Sequence, residues 1–257
     1  VNKNEFRRAF SASIVHDFFN VMSVLVLFPL QMSFGIISKS ANWLAELLVG
    51  TESISFNSPI KLITTPAVSW IKELLKQQEI INYNWLLLFV AFLLLFFSLR
   101  YLTKLIRSLV MFRLEAFFDS HIFKTARRAM FFGILITILV QSSSITTSLV
   151  IPLAGAGILH LRQIFPYTLG ANIGTTVTAL LASLVSGTIA PLSVAFAHLM
   201  FNIYGIALIW PIEKIRMIPI NLSLWFSDIA IKNRIFPLLY LLIVFFIVPL
   251  SLILFVR

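Results

Sequence analysis

The residues best suited to bind an ion or a small substrate lie between Gln141 and Thr178. This segment holds the side-chain amides of Gln141 and Asn172 and many hydroxyls, but no acidic residue and a single arginine, Arg162. Neutral oxygens suit a monovalent cation such as sodium, whereas a divalent ion would normally recruit carboxylates, as calcium does. Hydroxyls and the free N–H groups at the start of a helix suit an anion such as phosphate. The pattern therefore predicts a site for a cation, an oxyanion or both.

Binding the two ions together would lower the cost of burying each of them. Between residues 129 and 212 the only formal side-chain charge is that of Arg162. A bare ion in such an uncharged, apolar region costs free energy, but a cation and an anion bound together neutralise each other. Coupled binding is therefore expected. The hydroxyls that could donate to the anion are those of Ser142, Ser143, Ser144, Thr175 and Thr176.

Two other interpretations compete with an ion site. Serine and threonine in membrane helices commonly bond the carbonyl four residues back, and Gly170 with Gly174 forms a small-residue pattern that packs helices. A serine hydrolase would need a base, yet no GxSxG is present, and no acid follows His160, the histidine near the serine run. The clustering of polar residues favours the ion site, and the chain is expected not to be an enzyme.

The composition places these polar residues in a membrane. Of the 257 residues, 59% are hydrophobic, and the mean hydropathy is +0.97, whereas soluble domains average about 45–50% apolar residues. Several apolar runs reach the ~20 residues that cross a bilayer as a helix. The sequence therefore predicts an all-α, multi-pass transmembrane helical bundle in contact with the lipid bilayer. The basic residues behind the net charge of +10 lie in short segments between apolar runs, so nucleic acid is not an expected partner.

Charge also predicts the direction of the chain. Residues 100–128 carry seven positive charges against two negative ones, which places them on the cytoplasmic side. One crossing earlier, residues 33–83 are then extracytoplasmic, and one more crossing back places the basic residues 1–8 in the cytoplasm. The basic segment 213–234 is also predicted to be cytoplasmic. The predicted divisions are 1–32, 33–83 with amphipathic helices, 84–128 with a membrane helix and the basic connection, 129–212, and 213–257 with an amphipathic connection and a last membrane helix.

An internal repeat predicts the symmetry of the bundle. The pattern HxxFN occurs at residues 16–20 and again at 198–202, with a constant offset of 182 residues that also relates Pro29 to Pro211. By the charge argument the two copies run in opposite directions. They therefore form an inverted repeat, which is the architecture of many secondary transporters.

The repeat divides the chain, and its second half contains an interrupted apolar stretch. Residues 1–32 would hold the tail of the first repeat, and residues 129–212 would hold the second. Residues 129–159 are apolar but are interrupted by the QSSS run, a proline and two glycines. Such a stretch is too long for one span and too polar at its centre. It predicts a re-entrant hairpin whose broken backbone lines a cavity, because irregular backbone cannot face lipid.

In each copy of the repeat a histidine precedes an asparagine by four residues, so that both lie on one face of the helix. His16 with Asn20, and His198 with Asn202, are predicted to give structural support by hydrogen-bonding a broken helix across the bundle. A proton relay through the histidines is the alternative. Asp17 has no counterpart, because the second copy has a leucine there, and it is predicted to lie outside the symmetric core.

Four segments resemble the type II sodium-dependent phosphate cotransporters, a family that includes bacterial members. They are QSSS at 141–144, PLAGAGIL at 152–159, GANIGTTVTA at 170–179 and RRAFSASIVHDFFNVMSVLVLFPL at 7–30. The resemblance implies uptake of inorganic phosphate by alternating access, with sodium as the coupling ion and no organic cofactor. A sodium-coupled carrier of another oxyanion such as sulfate, or a passive anion channel, is the alternative.

The resemblance also implies which residues form the site. Those expected to bind phosphate are Gln141, Ser142, Ser143, Ser144 and Thr175. Those expected to bind sodium are Gln141, Ser143, Thr147, Asn172, Thr175, Thr176 and Thr178. The family carries a QSSS block in each repeat, and this sequence holds the second. The sequence is therefore expected to be an N-terminally truncated bacterial protein of the inner (plasma) membrane, whose missing first-repeat half completes the site.

Overall fold

The computed structural model describes residues 2–49, 59–76, 83–111, 122–184, 189–233 and 235–255. Within these ranges the chain is helical and contains no strand, which confirms the predicted all-α class. The helices are α1 (Lys3–Phe34), α2 (Ile36–Val49), α3 (Pro59–Lys76), α4 (Tyr83–Met111), α5 (Ala126–Val140), α6 (Ser143–Ala156), α7 (Leu161–Leu184), α8 (Ile189–Ile209), α9 (Glu213–Lys232), α10 (Ile235–Leu242) and α11 (Val248–Phe255), the last two joined by a π-helical turn (Ile243–Ile247). Parts of the two predicted connections, 50–58, 77–82 and 112–121, lie outside the described residues.

α1 begins inside the basic flank instead of after it. Its first residue is Lys3, because the side chain of Asn2 accepts a hydrogen bond from the backbone N–H of Asn4 at 3.0 Å and caps the helix. The helix ends before Gly35, whose φ of 64° is the left-handed conformation that favours glycine. The basic residues 1–8 and the predicted spanning helix are thus largely one continuous element.

The lengths of the helices separate spanning elements from shorter ones. Within the described residues, α1 and α8 are the helices long and apolar enough to cross a membrane. α5 has 15 residues and α6 has 14. At 1.5 Å per residue they are about 22 and 21 Å long, which is shorter than the ~30 Å hydrocarbon core. The two short helices occupy the stretch for which the sequence predicts a re-entrant hairpin.

α1 packs inside the same bundle as the helices of the predicted second repeat. It contacts α6, α7, α8 and α9. Val15 and Phe19 of α1 share a buried cluster with Phe165 and Leu169 of α7 and with Ile209 of α8. Because lipid tails are as apolar as these side chains, close packing and not exclusion from water must hold membrane helices together.

The closest packing in the bundle joins α5 to α7. A Cβ atom added at Gly170 of α7 would overlap the carbonyl oxygen of Met130 in α5, and one added at Gly133 of α5 would overlap the carbonyl oxygen of Tyr167. At Gly174 the added atom would lie 2.6 Å from Cβ of Thr137. The two backbones therefore touch, and the packing interpretation of Gly170 and Gly174 is confirmed.

α5 and α7 run in the same direction, and α6 runs back. Near the start of both α5 and α7, the ring of Phe123 lies 5.4 Å from that of Tyr167, and further along Thr137 packs on Gly174. In the last turn of α6, Gly155 packs on the first turns of α1. The starts of α1, α5 and α7 and the end of α6 therefore lie at one end of the bundle.

Two arginines of α1 tie this end together. Arg8 donates from Nε and Nη2 to the carbonyl oxygen of Gly155, at 2.9 and 2.7 Å. Arg7 forms a two-point ion pair with Asp228 of α9, in which Nη2 donates to Oδ2 at 2.8 Å. The hydrogen bonds from Arg7 hold the pKa of the Asp228 carboxyl below its usual value. The first turns of α1 thus contact both α9 and the end of α6.

At the other end of the bundle, α2 packs on the start of α8. Ala41 and Ala45 are buried against Leu192 and Phe196 of α8, whereas Trp43 is exposed. α2 therefore has one packed face and one open face. It belongs to the predicted amphipathic connection, and its contact lies at the end of the bundle away from the α1 arginines.

α1 and α8, which carry the two HxxFN patterns, run antiparallel and meet closely at one point. A Cβ atom added at Gly205 of α8 would lie 2.5 Å from Oγ of Ser23 and 3.1 Å from Cζ of Phe19 in α1. Ser23 and Gly205 are separated by 182 residues, which is the offset of the repeat. The helices thus cross where repeat-related positions face each other.

Candidate functional site

The QSSS run forms the break between α5 and α6. Gln141 has a φ of 56°, the one positive φ of a non-glycine residue among those that the structure describes. This conformation is uncommon for residues other than glycine, which usually takes the left-handed position at the end of a helix. The backbone N–H of Gln141 donates to the carbonyl oxygen of Thr137 at 2.6 Å and closes α5. Ser142 then caps α6, because its Oγ accepts from the backbone N–H of Ile145 at 3.3 Å.

The end of one helix and the start of another therefore meet within two residues. A helix leaves unpaired carbonyls at its C-terminus and unpaired N–H groups at its N-terminus, with partial negative and positive charge respectively. Among the described residues, the backbone N–H groups and hydroxyls of Ser143 and Ser144 donate no hydrogen bond, and the Gln141 amide has no partner. The break can thus offer acceptors to a cation and donors to an anion.

The threonines of the predicted site use their protons within their own helices. Thr147 donates to the carbonyl oxygen of Ser143 at 2.9 Å, and Thr175 to that of Ala171 at 3.1 Å. The remaining two donate likewise, Thr176 to Ile173 at 2.6 Å and Thr178 to Gly174 at 3.1 Å. The interpretation that these hydroxyls bond backbone carbonyls of their own helix is therefore confirmed: each of the four threonines donates its proton in this way. Their oxygens keep lone pairs, so they can accept from or coordinate a cation.

Asn172 pairs with the first HxxFN helix. Its Nδ2 donates to Oδ1 of Asn20 at 3.2 Å, which joins α7 to α1 inside the bundle. This bond leaves Oδ1 of Asn172 as the group that can bind an ion. In the second copy, by contrast, Asn202 is buried and donates to the carbonyl oxygen of His198 in its own helix at 3.3 Å.

The positions of the predicted ligands on α7 divide them into two groups. At 100° per residue, Thr178 and Thr175 lie about 40° and 100° around the helix from Gly174, which faces α5. Asn172 and Thr176 lie about 160° and 200° around, on the side of α1. The structure therefore brings Thr178 and Thr175 toward the hairpin. Asn172, which hydrogen-bonds Asn20, and the fully buried Thr176 instead lie on the other face of α7.

Heights along the bundle place Thr178 beside the break. α5 and α7 run parallel, and Thr137 packs on Gly174. Gln141 follows Thr137 by four residues, and Thr178 follows Gly174 by four residues. Because both helices rise by 1.5 Å per residue, Gln141 and Thr178 reach about the same height. Gln141 and Ser144 are exposed there, whereas Ser142, Ser143 and Thr175 are half-buried.

The two histidines lie apart from the hairpin. Nε2 of His16 lies 3.3 Å from Oδ1 of Asp17, and its Nδ1 is buried with no partner in the described part of the chain. His198 is exposed. Within the described ranges, neither histidine side chain hydrogen-bonds α5 or α6. Asn20 is the member of the predicted supporting set that contacts a predicted ligand.

Three residues near the hairpin were missed by sequence reasoning. Arg8 binds the last turn of α6, and the buried hydroxyl of Tyr167 donates to the carbonyl oxygen of Thr146 at 3.1 Å. Thr137 lies one turn before Gln141 on α5 and is fully buried. Helical spacing alone could have found Thr137, because residues four apart share a face. No sequence pattern pointed to the other two.

Comparison with known families shows which family the chain belongs to. The sequence model described as Na+/Pi-cotransporter matches residues 74–248, which is more than half of the chain. The chain belongs to the Na+/Pi-cotransporter family. The matched span contains the α5–α6 hairpin, α7 and α8. Together with the two long apolar helices, this makes the chain a membrane protein.

Curated relatives align with nearly all of the chain. Sodium-dependent phosphate transport protein 2B of Bos taurus is 30% identical, over 97% of this chain and 49% of that protein. The 2B protein of Homo sapiens is 28% identical over 97% and 49%, and the 2A protein of Rattus norvegicus is 28% identical over 96% and 50%. The chain thus spans about half the length of the curated relatives it matches. No solved structure matches the chain.

Proposed function

We propose that the full-length protein is a secondary active transporter that couples inward sodium movement to uptake of inorganic phosphate by alternating access. Membership of the Na+/Pi-cotransporter family supports this, and so do the relatives, which are named sodium-dependent phosphate transport proteins. The observation that carries the proposal is the break at residues 141–142, where the C-terminus of α5 meets the N-terminus of α6. One short segment can thereby hold a cation and an anion side by side.

Phosphate is proposed to bind at the start of α6. The N-terminus of a helix is a ready anion site, because its N–H groups and its dipole both favour negative charge. Ser143 and Ser144 have unpaired N–H groups and hydroxyls within the described residues. Ser142 accepts a hydrogen bond through Oγ and keeps its own proton to donate, and the exposed amide of Gln141 adds another donor. The QSSS run can therefore bind an oxyanion without a basic side chain.

Sodium is proposed to bind between the end of α5 and the facing side of α7. The proposed ligands are neutral oxygens of Gln141, Ser143, Thr147, Thr175 and Thr178. The three threonine protons are committed to backbone carbonyls, which leaves their oxygens to face a cation. For the same reason the proposal keeps Thr175 for sodium and not for phosphate.

Asn172 and Thr176 are proposed as sodium ligands at a separate position on the α1 side of α7. Asn20 would hold the Asn172 amide so that its oxygen stays turned toward the ion. His16, His198 and Asn202 are proposed to support the bundle without a direct hydrogen bond to the hairpin, since Asn202 donates within its own helix.

A second hairpin, related to α5–α6 by an inverted repeat, is proposed to complete the site. The antiparallel crossing of α1 and α8 at Ser23 and Gly205, which are one repeat offset apart, supports the symmetry. Gln141 and Ser144 are exposed at the tip of the hairpin. A re-entrant hairpin would end inside the bilayer, where polar groups need a polar partner. The relatives are more than twice as long as this chain, which leaves room for such a hairpin in the intact protein.

The proposed orientation follows from charge. Residues 1–8, 100–128 and 213–234 are placed in the cytoplasm, and residues 33–83 outside a bacterial inner membrane. The ion pair between Arg7 and Asp228 supports the common side of the first and the third of these segments.

Uptake by the full-length protein in proteoliposomes tests the proposed function. With an inward sodium gradient, labelled phosphate is expected to accumulate above its external concentration, and replacing sodium by potassium is expected to reduce uptake to that of empty liposomes. Equilibration of phosphate without sodium would instead show a channel. Displacement of phosphate uptake by sulfate at equal concentration would show a carrier for another oxyanion. Either result would overturn the proposal.

A further inference from the structure

Thr137 carries a hydroxyl that is buried without a partner. The residue lies on α5, one turn before the break, and is fully buried. Its Oγ1 has no hydrogen-bond partner among the residues that the structure describes. Buried polar groups in folded proteins are nearly always hydrogen-bonded, and an exception calls for an explanation such as an ion that binds there.

The surrounding threonines show how a buried threonine hydroxyl usually finds a hydrogen-bond acceptor in this bundle. Thr146, Thr147, Thr175 and Thr178 each donate to the carbonyl oxygen four residues earlier. Thr137 makes no such bond. Its hydroxyl is thus the one member of the local set whose proton and oxygen are both uncommitted, although leaving it unpaired costs free energy.

The position of Thr137 links it to the proposed sodium ligands. Its carbonyl oxygen accepts a hydrogen bond from the backbone N–H of Gln141 at 2.6 Å. Thr137 is thus bonded directly to the residue that has the left-handed conformation at the break. Across the contact with α7 its Cβ faces Gly174. Gly174 is in turn the residue whose carbonyl oxygen accepts the proton of Thr178. Thr137 therefore lies at the contact between α5 and α7, one helical turn nearer the start of α5 than Gln141 and Thr178.

We propose that Thr137 is a further ligand of the sodium ion bound between α5 and α7. Its Oγ1 would coordinate the ion from the side nearer the start of α5. This inference rests on the proposed function. A packing role alone would be served equally well by valine, which has the same shape without the hydroxyl. The unpaired oxygen distinguishes the two roles.

The test compares variants of the full-length protein in the proteoliposome uptake assay, with choline replacing sodium to keep ionic strength constant. Thr137→Val is expected to raise the sodium concentration for half-maximal phosphate uptake about tenfold, because one oxygen ligand is lost. Thr137→Ser keeps the oxygen and is expected to stay within about twofold of wild type. Thr168→Val is the matched control, because Thr168 is equally buried on α7 and its hydroxyl donates to Phe165.

A second measurement covers the case in which transport is lost for another reason. Sodium is expected to raise the thermal unfolding temperature of the purified wild type and of Thr137→Ser, and to do so only at about tenfold higher concentration for Thr137→Val. A wild-type sodium midpoint in Thr137→Val, in either measurement, would overturn the ligand role and leave the proposed function standing. A wild type that responds to sodium in neither measurement would overturn both.

Discussion

Replacing Gly170 with alanine is expected to force α5 away from α7, to destabilise the protein by about 3 kcal/mol and to abolish sodium-dependent uptake. The added Cβ would overlap the carbonyl oxygen of Met130, and backbone cannot move aside as a flexible side chain can. α5 carries the QSSS break at its end. A shift of α5 therefore displaces the whole hairpin relative to Thr175 and Thr178.

Thermal unfolding of the purified full-length protein measures this effect. The midpoint is expected to fall by about 10 °C, given a few degrees per kcal/mol for a chain of this size. Gly155→Ala is the control, because an added Cβ there meets its nearest neighbours at an ordinary 3.5 Å. That variant is expected to match wild type in stability and uptake. A Gly170→Ala variant that matches it as well would show that α5 and α7 do not touch as described.

Removing the side chains at the break is expected to reduce phosphate uptake without removing the protein from the membrane. Ser143→Ala deletes a half-buried hydroxyl that has no partner within the described residues. A hydrogen bond to a charged group contributes about 1.5–3 kcal/mol, so uptake at low phosphate is expected to fall about ten- to a hundredfold. Gln141→Ala is expected to have an effect of the same size. It removes an amide that can serve both ions.

Ser13→Ala provides the matched control for these variants. Ser13 is half-buried on α1, and its hydroxyl donates to the carbonyl oxygen of Phe10, away from the hairpin. Uptake and membrane content should be measured together for all three variants. Wild-type uptake in Ser143→Ala or Gln141→Ala would remove that residue from the site.

The sequence predicted the helical class and the location of the break because both depend on local composition. The polar run at 141–144 interrupts an apolar stretch, and the structure ends α5 and starts α6 there. The close contact of Gly170 with α5 was also open to sequence reasoning, since small residues four apart are typical of packed membrane helices. These features need no knowledge of which helices are neighbours.

Features that depend on neighbouring helices were out of reach. The start of α1 at Lys3 follows from the cap by Asn2, which hydropathy does not detect. The hydrogen bonds from Arg8 to the carbonyl oxygen of Gly155 join residues 147 positions apart. The division of the α7 ligands between two faces became visible only once α5 and α1 were placed on opposite sides. The unpaired state of Thr137 is likewise a property of the packed bundle.

The central claim is that one site binds sodium and phosphate together, and phosphate binding to the purified full-length protein in different salts tests it most directly. Titration calorimetry would give the phosphate dissociation constant in sodium chloride and in potassium chloride at equal ionic strength. Because coupled ligands raise each other's affinity, phosphate is expected to bind about tenfold or more tightly in sodium, and sodium correspondingly more tightly in saturating phosphate. Equal phosphate affinity in the two salts would contradict the shared site.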